Sequence, residues 1–121
     1  MRIKRSPFKT KAKGTYRIEN KAGAVEATVY LYDEIGWFGV LAEDFVKDLT
    51  AIKAETVHIR LNTPGGDVFD GTAIANTIKQ LKAKTVIHID GLAASIGSII
   101  ALAGDEVRMS ENAFFMFHEA W

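Results

Sequence analysis

Residues 90–100 read DGLAASIGSII, with Ser95 set between two alanines and an isoleucine-glycine step in an otherwise apolar run. A hydroxyl placed where a strand gives way to a helix lies near the positive end of the helix dipole. The N–H groups just after it are free to stabilise an oxyanion. Ser95 is thus a candidate nucleophile, and equally a candidate helix cap whose oxygen accepts from the first turn. Ser98, three residues on, reads as packing, its hydroxyl returned to a carbonyl four residues earlier. A serine nucleophile needs a base, and the chain has three histidines. His58 alternates away from Val57, Ile59 and Leu61, and His88 sits among Val86, Ile87 and Ile89; both read as structural. His118 follows the apolar run FFMF, at the carboxyl end of an expected strand. No acid completes a triad: Glu119 should point to the face opposite its neighbour, Asp67 and Asp70 read as helix-start residues, and Asp90 as a polar strand end.

A second chemical candidate is NTPGGD, residues 62–67. Gly65 and Gly66 permit backbone conformations barred to other residues and let a substrate approach the peptide N–H closely. The loop could bind an oxyanion or a phosphate, or be only a tight turn. It is neither GxGxxG nor GxxxxGK[ST], so it does not point to a nucleotide.

The elements that must position these residues follow from periodicity. Val25, Ala27, Val29 and Leu31 alternate with polar neighbours, the period of a half-buried strand. Leu41, Phe45, Leu49 and Ile52 mark one helical face. TVHIRL is a second strand, running into the Pro-Gly-Gly loop. A helix follows from about residue 70 with Ile74, Ile78 and Leu81 on its apolar face. KTVIHID is a third strand, GLAAS a turn, SIGSIIALAG a short helix, and DEVRMS and AFFMFHEAW two more strands. Alternating strand and helix predicts an α/β fold, a mainly parallel sheet covered by helices.

With 121 residues, 48% apolar and 25% charged, the chain has the size and composition of one globular domain. It lacks the 18-residue apolar run of a membrane span and the apolar core of a secretory signal, so a cytoplasmic protein is expected. The absence of cysteine excludes a thiolate nucleophile and thiolate metal sites. No other cluster has metal-ligand spacing, and no cofactor is expected. The net charge of zero hides a basic start, with eight Lys or Arg in the first 21 residues against Glu19 alone. Residues 1–22 read as a flexible basic arm, and 23–121 as the folded domain. The arm leaves nucleic acid open as a partner, but no aromatic interleaving or RNA-binding motif supports it.

RLNTPGGDVFDGTAI, HIDGLAASIGSIIALAGDEVRM and ENAFFMFHEAW, in that order, resemble successive segments of the ClpP-like serine peptidases. LYDEIGWFGVLAEDFVKDL is similar to the phage-encoded members that act as head maturation (prohead) proteases. The resemblance implies a ClpP/crotonase-type fold of repeated β-β-α units whose protomers assemble into rings. It implies Ser95 as nucleophile, His118 as general base, the N–H groups of Gly66 and Ile96 as the oxyanion hole, and Pro64 and Gly65 against substrate. The substrates implied are capsid or scaffold proteins, cleaved in the host cytoplasm or the prohead. Thr63 stands where the family usually has serine, and HEAW replaces the usual polar residue and proline after the histidine. The family's acid lies downstream of Trp121, so the chain reads as the N-terminal part of a domain apparently truncated at its C-terminus, expected to depend on oligomers for stability. Two other functions are compatible: a non-catalytic assembly subunit of the same fold, and a crotonase-type acyl-CoA enzyme lacking a serine nucleophile.

Overall fold

A computed structural model describes residues 9–13, 16–21 and 23–117. Two strands open it, β1 (Lys9–Lys13) and β2 (Tyr16–Asn20), paired antiparallel to each other, and β2 lies antiparallel to β3 (Glu26–Leu31). From β3 onward strand and helix alternate through α1 (Ala42–Thr50), β4 (Thr56–Thr63), α2 (Val68–Gln80), β5 (Lys84–Ala94), α3 (Ile96–Leu102) and β6 (Glu106–Met109). The strands β3, β4, β5 and β6 are mutually parallel neighbours. A last strand, β7 (Phe114–Met116), pairs parallel with the carboxyl end of β5. The expected parallel α/β sheet is therefore present, with an antiparallel extension at one edge.

Residues 9–13 and 16–20, expected to lie in a flexible arm, are thus strands of the sheet. Tyr16 and Ile18 are buried in the same core as β3 and α1. The Tyr16 ring meets Phe45 edge-on at 5.3 Å, and its hydroxyl donates to Asp48 Oδ2 at 2.5 Å. Arg17 and Glu19 alternate to the other face, where the Arg17 guanidinium lies 4.1 Å above the Tyr30 ring. Strands of five residues, β1 carrying three lysines, offer too few apolar positions to show a period, and residue 23 lies in the connection between β2 and β3.

The core forms between one sheet face and the helices. Val29, Leu31, Val57, Ile59, Leu61, Ile87 and Ile89 meet Phe45 and Leu49 of α1, Ile74 and Ile78 of α2, and Ile100 of α3. Burying each such side chain contributes about 1.5–3 kcal/mol. Val25, expected on the buried face, is exposed because β3 begins one residue later. Two boundaries near the site also differ from expectation. α2 starts at Val68, since Asp67 is its cap and accepts from the Asp70 N–H at 2.8 Å. GLAA continues β5 instead of turning. There Asn62 Oδ1 accepts from the Leu92 N–H at 3.1 Å, spanning a register shift between β4 and β5, and β7 supplies a partner beyond the end of β6.

Candidate active site

Ser95 occupies the junction from β5 to α3, at φ 55° and ψ −127°. It is the sole non-glycine residue with positive φ among the described residues. Such a conformation costs an L-residue about 1–3 kcal/mol and persists only where its surroundings enforce it. Three contacts do so here. The Ser95 N–H donates to the Met116 carbonyl of β7 at 2.9 Å, while the Ser95 carbonyl accepts from the Ser98 N–H at 3.0 Å and from Ser98 Oγ at 2.6 Å. Both polar groups of the serine backbone are thus fixed, and its side chain is not used: it makes no capping hydrogen bond. The cap reading is overturned, and a sharp strand-to-helix turn that presents a free, half-buried hydroxyl remains. Ser98 has the structural role expected of it, with the bond reaching three residues back instead of four.

The Pro64-Gly65-Gly66 loop is built against this turn. Thr63 Oγ1, fully buried, accepts from the Gly65 N–H at 3.1 Å, so the threonine hydroxyl closes the loop. Gly65 adopts φ 97°, and a Cβ on it would lie 2.7 Å from the Ala94 oxygen and 2.9 Å from Ser95 Cβ. Only a residue without a side chain lets the loop sit this close to the serine. Gly66, at φ 143°, is bridged to Ile35: the Ile35 N–H donates to the Gly65 carbonyl at 2.8 Å, and the Asp67 N–H to the Ile35 carbonyl at 2.9 Å. In a parallel bridge of this kind the central residue turns its own N–H to the opposite side. Neither the Gly66 N–H nor that of Ile96, first in α3, bonds to another described residue. Two free donors therefore flank the hydroxyl-bearing residue, an arrangement suited to a developing oxyanion. The anchoring role of Ile35, within DEIGWFG, has no signal in the sequence beyond a glycine-rich loop. That loop also leaves Trp37 and Phe38 exposed, as Val68 and Phe69 are at the start of α2.

His118 and Glu119 lie outside the described residues. What is described is the strand leading to them: β7 runs beside Leu92–Ala94 with Met116 opposite Ala94, so its carboxyl end arrives at the serine turn. His58 and His88 are elsewhere, on the sheet face away from the helices, with His58 Nδ1 2.9 Å from His88 Nε2. The acids near the loops are engaged as well. Asp67 caps α2, Asp70 accepts from the Ala42 N–H at 3.3 Å, and Asp90 holds Arg60 by two bonds of 2.9 Å. Among the described residues no group of three or more His, Cys, Asp or Glu is placed to hold a metal ion.

Residues 13–121 match the family model described as Clp protease. The ATP-dependent Clp protease proteolytic subunit of Streptococcus pyogenes is 33% identical over 103 residues, covering 84% of this chain and 44% of that protein. Among solved structures, a ClpP1 variant from Listeria monocytogenes superposes with a TM-score of 0.68 at 33% identity, over 77% of this chain and 56% of its own. The ClpP catalytic domain from Plasmodium falciparum gives 0.66 at 28% identity, over 75% and 53%. The chain spans about half the length of these relatives. The sheet with its covering helices is that of a ClpP-like fold, and the chain belongs to the Clp protease family.

Proposed function

We propose that this chain supplies the nucleophile and oxyanion hole of a serine endopeptidase. The observation that carries the reading is Ser95 itself, held at φ 55° with both backbone groups bonded and its hydroxyl free. In the proposed reaction His118 takes the Ser95 Oγ proton as the oxygen bonds to a peptide carbonyl carbon. The tetrahedral oxyanion accepts from the N–H groups of Gly66 and Ile96. Collapse breaks the C–N bond, His118 returns the proton to the leaving amine, and water then releases the acyl group by the same steps in reverse. Pro64 and Gly65 line the approach of the substrate. Either oxyanion donor is worth on the order of a hundredfold to a thousandfold in turnover. The described residues assign no acid to orient His118, and loss of that member alone costs roughly ten-thousandfold in a complete triad.

The finer reading concerns the substrate. The similarity of LYDEIGWFGVLAEDFVKDL to phage head maturation proteases supports capsid or scaffold proteins, cleaved in the host cytoplasm or prohead by a ring of such chains. The first test is reaction of the protein with a fluorophosphonate, followed by peptide mapping. An adduct on Ser95, absent from a Ser95→Ala variant, is expected. Failure to label in a folded protein would favour a non-catalytic assembly subunit.

A further inference from the structure

The sheet face that meets no described helix carries a linked set of side chains that the peptidase reading does not use. Val57, Ile59 and Leu61 point into the core, so His58 and Arg60 take the opposite face, as do His88 of β5 and Arg108 of β6. His58 Nδ1 and His88 Nε2 are 2.9 Å apart, and His58 Nε2 is 3.0 Å from Glu26 Oε1 on β3. A carboxylate only accepts, so Glu26 fixes the proton of His58 on Nε2 and leaves Nδ1 as acceptor for the His88 Nε2–H. One added proton is accommodated, because one ring can still accept at the shared contact while the other donates. A second added proton leaves two donors facing each other, and the bond is lost.

The surroundings oppose that second proton at His88. Arg60 and Arg108 stand opposite it on the two neighbouring strands. The nearby acids are already committed: Asp90 to Arg60 and to the Tyr32 hydroxyl, and Glu106 to Arg108 at 2.8 Å and Lys84 at 3.7 Å. Burial and then the positive charges of Arg60, His58 and Arg108 hold His88 below the ordinary imidazole range.

We propose that His58 and His88 form an acid-released latch between β4 and β5, tied at neutral pH by a shared proton and opened when both rings are charged. β4 runs on into Thr63, Pro64, Gly65 and Gly66, and β5 ends at Ser95, so opening would loosen the register of the two strand ends that build the site. The latch stands on the histidine geometry alone; only its effect at Ser95 rests on the peptidase reading.

The test is a titration of the imidazole nitrogens by NMR in the whole protein from about pH 7.5 to about pH 5, with amide shifts followed along β4 and β5. We expect the His88 resonances to titrate below the ordinary imidazole range near 6.5, with β4 and β5 amides moving in that step. Thermal melts of the wild type and of His88→Gln supply the second readout. His88 has the lower pKa when folded, so the unfolded chain takes up the proton first; its contribution is whole above about 6.5 and declines as pH falls. Glutamine can still donate to His58 Nδ1 but does not titrate, and the acid-side drop in melting temperature should flatten. Titration of His88 without movement of β4 or β5, or an equal pH slope in His88→Gln, overturns the latch. If that variant does not fold, the wild-type titration decides alone. Ser95 labelling that stays constant while the latch opens overturns its coupling to the site. Absence of labelling at every pH, with the latch still opening, counts against the peptidase reading instead.

Discussion

Gly65→Ala isolates the contact on which the candidate site depends. Two costs add. At φ 97° an alanine is held in a sparsely populated region, costing about 1–3 kcal/mol. Its Cβ would also stand 2.7 Å from the Ala94 oxygen and 2.9 Å from Ser95 Cβ, distances that force backbone movement at a further cost of about 1–3 kcal/mol. The sum, about 2–6 kcal/mol, is a large part of the roughly 5–15 kcal/mol that holds an ordinary domain folded. Gly23→Ala is the control, because Gly23 is also at positive φ, 77°, but a Cβ there meets nothing within 4 Å. It should show the conformational term alone. Urea unfolding of the three proteins measures the difference, and the rate of fluorophosphonate labelling measures what the displacement does to Ser95. Any movement that separates the loop from the α3 start displaces one of the two proposed oxyanion donors, so a fall in labelling of on the order of a hundredfold is expected in Gly65→Ala and none in Gly23→Ala. Equal stability of the two variants, with labelling of Gly65→Ala at the wild-type rate, would refute the idea that the glycine loop and the serine turn are sterically locked.

Ser95→Gly should be more stable than Ser95→Ala, by about 1 kcal/mol after the entropic penalty of glycine, because only glycine relieves the strain at φ 55°; equal unfolding midpoints would count against a strained turn. Thr63→Ser should retain the bond to the Gly65 N–H, whereas Thr63→Val removes it inside a buried site and should lose about 1–3 kcal/mol, read by the same urea curves. Burial and the hydrogen bond to Asp90 push the Tyr32 hydroxyl up to about 12. With the folded value raised, the unfolded chain loses its proton first, so this contribution is present below pH 10 and declines as pH rises toward 12. Tyr32→Phe should therefore flatten the loss of stability on that alkaline side, and an unchanged slope would contradict the assignment.

The parallel sheet was legible because its strands bury one face: Val57, Ile59 and Leu61 alternate with His58 and Arg60 in a way only a half-covered strand requires. Phe45 with Leu49, and Ile74 with Ile78, disclosed their helices by the same logic at the helical period. What escaped was set by partners distant in sequence. β2 is a strand because Tyr16 and Ile18 find Phe45 and β3, and GLAA stays extended because Asn62 and β7 meet it. The same distinction runs through the site. Local pattern left Ser95 divided between cap and nucleophile, since both need a hydroxyl at the start of a helix. The conformation that separates them is imposed from outside, by the Met116 carbonyl on one side and by Ser98 on the other. A cap must turn its oxygen toward the first N–H groups of its own helix. At Ser95 that bond is absent and the Ile96 N–H is left free. The helix forgoes a stabilising contact at the very position where strain has also been accepted, and both costs make physical sense if the hydroxyl and the free donors serve a reacting carbonyl.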